Sequence, residues 1–229
     1  MKSLFFLTLP FIILACTDPA SQVYSNQASL TSEEGLFLDS LVMPDGFHME
    51  VYGRVDNARS MAMSPDGTLF VGNKANGSVY ALQDRNNDMK ADTLYTIAKD
   101  LIMPNGIAFK DGALYVAEIN KLWRYDAIED NLNDPKATLI YDDFPEDSHH
   151  GWKYIAFGPD GKLYVPVGAP CNVCETKDDT YYASIISMDA DGANRQIVAK
   201  GVRNTVGLTW HPITLSLIHI SEPTRRRGI

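Results

Sequence analysis

Positive charge is scarce in this sequence. Twenty Lys and Arg stand against 29 Asp and Glu, giving a net charge of -9 and a pI near 4.9. Such a chain repels a phosphate backbone and offers no polybasic surface to anionic lipid, so nucleic acid is not an expected partner. Long apolar runs are lacking as well. The one at the N terminus, Leu4 to Leu14, is too short to span a bilayer as a stable helix. Only three cysteines occur in 229 residues, too few thiols for a zinc site without a further ligand set. What remains, 45% apolar and 21% charged, is the composition of a globular protein able to bury one sizeable core.

The two ends differ from the middle. Met1-Lys2-Ser3 puts one positive charge ahead of the apolar run and Ala15-Cys16 follows it, the order of a secretion signal. Ile13-Leu14-Ala15-Cys16 resembles the lipobox of bacterial lipoproteins. That resemblance implies a leader over residues 1–15 and Cys16 as a lipid anchor to a membrane. The protein is then an exported, periplasmic or cell-surface lipoprotein; an ordinary cleaved signal is the alternative. Residues 16–45 read as a polar tether with a short lead-in helix over Phe37 to Leu41. At the other end, residues 215–229 resemble the conceptual translation of a sequencing-library adaptor. A strand pattern under way at Gly207 to Pro212 gives way there to an apolar stretch and an arginine run, so the gene product is expected to be longer. A basic tail contacting membrane or nucleic acid is the alternative. Without the three Arg and one Glu of this segment the net charge moves from -9 to -11.

Between the ends lies a repeat, expected to fill residues 46–214. Met61 to Gly72, Ile107 to Ala117 and Ile155 to Val167 share an apolar strand, a turn with Asp-Gly, and a second strand of Leu, Phe or Tyr with Val. The Asp-Gly pairs at 66, 111 and 160 lie 45 and 49 residues apart, the period of a four-stranded propeller blade. Third strands fit Ser78 to Leu82, Lys121 to Tyr125 and Ser184 to Met188; fourth strands fit Thr93 to Ala98, Ala137 to Tyr141 and Arg195 to Ala199. A fourth repeat begins at Val206. The expected fold is all-β, a β-propeller of about three blades plus the start of a fourth, since a β-sandwich does not return one turn sequence at near-equal spacing. Phe47 to Val55 reads as a further strand that closes the ring or caps blade one.

Propeller loops meet ligands at one mouth of the central channel. Two polar segments enter inner strands at equivalent places, Asp147 to Lys153 before blade three and Gly201 to Gly207 before blade four. Removing hydride from a carbinol carbon requires a base for the alcohol proton, a role imidazole suits, and a guanidinium stabilises a forming oxyanion. His149 and His150 are also readable as solvated loop residues or a surface metal contact, and Arg203 as one partner of a salt bridge between blades.

His150, eight residues before Gly158 of Gly158-Pro159-Asp160-Gly161-Lys162-Leu163-Tyr164, together with Gly201-Val202-Arg203-Asn204-Thr205-Val206-Gly207, resembles the pyrroloquinoline-quinone (PQQ) dependent soluble glucose and sorbosone dehydrogenases. The resemblance runs from Gly46 to Thr214 and implies a propeller of six blades in the full-length family. It implies that His150 takes the sugar hydroxyl proton while hydride moves to the C5 carbonyl of PQQ. Arg203 and Asn204 would lie against the quinone edge, with His149 and Asn105 as further cofactor-side candidates. A sugar or polyol substrate, a separate electron acceptor and calcium follow from the same resemblance. Soluble glucose dehydrogenases carry Asp before the catalytic His where this chain has His149, which fits the sorbosone branch better and leaves the substrate open. The Lys and Arg residues that clamp the PQQ carboxylates, and the calcium loop, belong to later blades in that family. The chain to Thr214 is therefore expected to bind PQQ poorly by itself.

Three smaller signals remain. Asp84, Asn86, Asp88 and Asp92 alternate oxygen side chains like a calcium loop, but Met89 replaces the usual Gly and no Glu follows at position twelve, so an acidic turn is the competing reading. Cys171 and Cys174 form a Cys-x-x-Cys that suits a local disulfide in an exported protein. Asn105, in Met103-Pro104-Asn105-Gly106, enters the inner strand of blade two and either faces the channel or serves turn chemistry. An axial Asn is also a metal ligand in gluconolactonase-like hydrolases, the alternative enzyme reading; a non-enzymatic NHL-type binding propeller is the third.

Overall fold

The computed structural model describes residues 30–173 and 181–221. The leader at 1–15, Cys16 and Cys174 lie outside these residues, as does the arginine run of the C-terminal segment. Among the described residues no helix is long and apolar enough to cross a membrane.

Three antiparallel four-stranded meanders follow one another. Blade one is β1 (Ala58–Met63), β2 (Leu69–Asn73), β3 (Val79–Gln83) and β4 (Thr93–Ala98). Blade two is β5 (Gly106–Lys110), β6 (Ala113–Ala117), β7 (Leu122–Tyr125) and β8 (Ala137–Tyr141). Blade three is β9 (Ala156–Phe157), β10 (Leu163–Val167), β11 (Ser184–Met188) and β12 (Gln196–Lys200). A fourth begins as the hairpin β13 (Thr205–Trp210) and β14 (Leu217–Ser221). The fold is thus the expected all-β propeller arc of three blades and the start of a fourth. β14 is built from residues of the 215–229 segment.

The Asp-Gly turns take two forms, for a local reason. Where Pro-Asp-Gly is present, the turn closes with Gly67 N–H on Ser64 O and Gly161 N–H on Gly158 O, with Gly67 at φ +88° and Gly161 at φ +77°. Blade two lacks the Pro. There Asp111 and Gly112 both adopt positive φ, +48° and +77°, and Lys110 pairs directly with Ala113 in a two-residue hairpin. A bulge also recurs where the third strand meets the fourth, at Val79/Tyr80, Leu122/Trp123 and Ile185/Ile186. The same register slip in each blade adds twist at its outer edge.

The core lies between blades. Leu114 and Val116 of β6 join Phe70, Val79 and Ile97 of blade one, while Tyr115 and Ala117 join Leu163, Val165 and Val167 of blade three. Alternate side chains of one strand therefore serve two interfaces, and all five β6 residues are buried. Tyr164 meets Trp210 edge-on at 5.0 Å, opening the third interface.

Phe47 to Val55 is not a strand. Its backbone is held by a hydrogen bond from Ala91 N–H to Tyr52 O at 2.7 Å and one from Arg54 N–H to Leu30 O at 2.8 Å, which is no ladder. Tyr52 and Val55 instead pack with Leu30 over Val71, Leu82 and Leu94, covering the outer face of blade one. The expected helix at Phe37 to Leu41 is a single 3-10 turn over Leu38–Ser40.

Leu114 is fully buried at the interface of blades one and two. Leu114→Ala is expected to lower unfolding free energy by about 2–5 kcal/mol in urea titrations. Met61→Ala, on a side chain 62% exposed, is expected to stay within about 0.5 kcal/mol of wild type.

Candidate active site

Topology decides which residues can meet. In a meander, the β1–β2 and β3–β4 connections share one end of a blade, and the β2–β3 loop and the link to the next blade share the other. The links at 147–153 and 201–207 and the loop after β10 therefore gather at one mouth. The Asp84 to Asp92 loop joins β3 to β4 and stands at the opposite mouth.

His150 is buried, and its Nδ1 lies 2.9 Å from Ala169 O. A carbonyl only accepts, so Nδ1 carries a proton. The residue sits at φ +55°, a left-handed conformation that costs a non-glycine residue of order 1 kcal/mol or more. Its turn is held on several sides. The Tyr182 hydroxyl donates to the Asp147 carboxylate, and Gly151 N–H donates to Ser148 O at 3.2 Å. His149 Nε2 meets Asn172 Oδ1 at 3.1 Å, and the His149 and His150 ring centroids are 4.0 Å apart.

Arg203 is tied to the same loop. Its Nη2 donates to Cys171 O at 2.7 Å, while its own carbonyl accepts from Ala169 N–H at 2.8 Å. One residue, Ala169, thus binds the His150 ring through its main-chain oxygen and the Arg203 backbone through its main-chain nitrogen. Among the described residues Arg203 bridges blades by a hydrogen bond to a carbonyl. Asn204 is buried beside them. A Cβ on Gly168 would fall 2.5 Å from His150 Cβ and 2.9 Å from Asn204 Oδ1, so only glycine lets β10 end between the two. His150, Arg203 and Asn204 are brought together; His149 joins from the exposed side.

Asn105 stands apart from this group and faces the axis. It lines a cavity of about 280 Å³ with Arg59, Ser60, Trp152, Tyr154 and Val206, residues on or just before the inner strands of all four repeats. Its Nδ2 donates to Lys153 O at 2.6 Å. Lys153, at the repeat position equivalent to Asn105, has a side chain only 1% exposed. Its Nζ donates to Gly151 O at 2.6 Å and lies 5.6 Å from the Phe144 ring centroid. Burial lowers its amine from 10.5 to about 7. Sequence reasoning missed Lys153; the available signal was a Lys in register with Asn105. Glu118 was also missed: buried after β6, it accepts from Ile102 N–H and from Trp123 Nε1 at 2.6 Å.

The other candidates are local. Asp84 accepts backbone N–H from Asn87, Asp88 and Met89, and Asp92 accepts from Arg85 N–H. Among the described residues no group of three or more His, Cys, Asp or Glu is placed to hold a metal ion. Cys171 is engaged in a disulfide.

The family model described as "Domain of unknown function (DUF7133)" matches residues 34–212. The chain belongs to the DUF7133 family. It is 27% identical over 203 residues to an uncharacterized protein of Borreliella burgdorferi, covering 82% of this chain and 50% of that one. The chain thus spans half the length of this curated relative. Among solved structures it resembles the PQQ-bound aldose sugar dehydrogenase of Streptomyces coelicolor, with a TM-score of 0.58 and 17% identity, covering 88% of this chain and 60% of that one. It also resembles the holo PQQ domain of pyranose dehydrogenase from Coprinopsis cinerea, with a TM-score of 0.57 and 16% identity, covering 67% and 41%. At these identities the likeness is one of fold. Both of these neighbours are sugar dehydrogenases that hold PQQ.

Between pH 7 and 10.5 unfolding adds a proton to Lys153, because the folded amine titrates near 7 and the unfolded one near 10.5. Lys153 therefore contributes stability that rises with pH across that window, by about 1.4 kcal/mol per unit. Urea titrations of wild type and Lys153→Met from pH 7 to 9.5 should diverge with that slope, and parallel curves would refute a buried, largely neutral amine.

Proposed function

We propose that the protein is a quinoprotein oxidoreductase acting on the CH–OH group of a sugar or polyol, with PQQ as cofactor and calcium beside it. The observation that carries this reading is the main chain of Ala169, whose oxygen faces the protonated Nδ1 of His150 and whose nitrogen seats Arg203 at the same mouth. The likeness to sugar dehydrogenase folds supports it.

The residues present fit the group in chemistry. Bound PQQ supplies a two-electron acceptor for hydride. His150, held by the hydrogen bond from Nδ1 to Ala169 O, takes the substrate hydroxyl proton on Nε2. Arg203 brings positive charge to the place where negative charge develops, with one Nη2 anchored on Cys171 O so that the guanidinium is oriented in advance. Asn204 and His149 flank the pair on the buried and exposed sides. A separate acceptor would be needed to take the two electrons on. Export and attachment to a membrane through lipid on Cys16 complete the proposal.

Protein expressed from the complete gene and loaded with PQQ and Ca²⁺ is expected to reduce an artificial electron acceptor in the presence of an aldose or related polyol. His150→Ala should lower kcat by about 10²- to 10⁴-fold with an unchanged circular dichroism spectrum. Wild-type protein that shows no PQQ-dependent oxidation would sink the proposal. In cells fed labelled palmitate, label should appear on the wild type and vanish with Cys16→Ser.

A further inference from the structure

One cation lines the axial cavity and a second stands against its Trp152 wall, and the site around His150 uses neither. Arg59, in β1, lines it with an exposed guanidinium. Lys74, at the end of β2, sets its Nζ 3.7 Å from the centroid of the Trp152 ring, which lines the same cavity. The two are held near one another by the backbone. Ala58 pairs with Asn73, and Asn57 Oδ1 accepts from Lys74 N–H at 3.2 Å and Ala75 N–H at 2.9 Å. Neither cation has a carboxylate partner among the described residues, in a chain with nine more acidic than basic groups. Two like charges beside one cavity, with no counter-ion among the described residues, repel each other, a cost that an anionic ligand removes. Asn105 adds a polar contact. It is 5% exposed and its Nδ2 is committed to Lys153 O, so its Oδ1 is the atom left to accept from a ligand hydroxyl. At about 280 Å³ the cavity is near the lower end of small-ligand sites, which begin at roughly 300 Å³.

We propose that Arg59 and Lys74, across Trp152, form a carboxylate-binding site on the propeller axis. Arg59 forks onto the carboxylate, whose planar geometry matches guanidinium, and Lys74 adds a point charge held by the indole face. One chemistry admits two sources, a carboxylate of the quinone cofactor or the carboxylate of a sugar acid. Only the first rests on the quinoprotein reading.

Isothermal titration calorimetry on protein from the complete gene, with PQQ in one arm and D-glucuronate in the other, tests this. Arg59→Met should weaken binding about tenfold or more in at least one arm, Lys74→Met by a smaller factor, and Arg59→Lys should retain part of the affinity. Binding in that arm should also fall with added salt. Loss confined to PQQ identifies a cofactor carboxylate, and loss confined to glucuronate a substrate carboxylate. Failure of wild type to bind either compound, or equal affinities for wild type and Arg59→Met, overturns the proposal. Thermal melts keep the comparison clean, because an exposed Arg59 without partners should leave folding unchanged. Binding is read without turnover, so equal PQQ affinities for wild type and Arg59→Met overturn this site and leave the His150 chemistry standing, failure of wild type to bind PQQ counts against both, and an absence of oxidation leaves this site standing.

Discussion

The middle sheet of this protein is apolar on both faces, and burying both of them takes a neighbouring sheet on each side. That constraint organises the rest. β6 alternates Leu114 and Val116 toward blade one with Tyr115 and Ala117 toward blade three, so a sheet is complete only with a neighbour on each side. Stacking twisted sheets face to face around successive interfaces turns them about a common axis. Once the axis exists, the inner strands β1, β5, β9 and β13 must approach one another, and the segments leading into them are gathered at one mouth. The polar residues there are positioned by apolar packing elsewhere.

Within that mouth the decisive group is the main chain of one residue, not a side chain. Ala169 follows β10 and belongs to blade three, yet its nitrogen holds the backbone of Arg203 at the entrance to blade four. Its oxygen holds the His150 ring. Gly168, just before it, has no side chain to hold His150 and Asn204 apart. The geometry of the site thus depends on where one strand stops. Lys153 supports it from below, since its amine takes the Gly151 carbonyl and its carbonyl takes Asn105. A ring nitrogen, a guanidinium and an axial amide from three repeats are linked through main-chain atoms.

Much of the fold was legible because the repeat speaks twice, in apolar strands and in Asp-Gly turns. β4, β8 and β11 fall on the expected residues. The segment from Phe47 to Val55 was misread because its alternating apolar residues imitate a strand, while a strand also needs a ladder partner that no local pattern reveals. In the site, His150, Arg203 and Asn204 were findable because equivalent repeat positions meet at the axis. Lys153, Arg59 and Lys74 were not. Lys and Arg are solvent-facing by default, and what buries Lys153 or sets Lys74 over Trp152 comes from distant stretches of chain. The recurrent bulges were invisible for a similar reason, since a slipped register belongs to a pair of strands.

The two turn geometries carry an evolutionary consequence. Pro-Asp-Gly in blades one and three and the tighter Asp-Gly of blade two close the same hairpin with different numbers of residues, at the mouth away from His150. Lineages can therefore gain or lose residues at that rim without shifting the register of the residues facing the axis. Relatives of this chain are best compared blade by blade, anchored on the links into the inner strands, because an end-to-end alignment accumulates the drift of the rim and dilutes the positions where chemistry is kept.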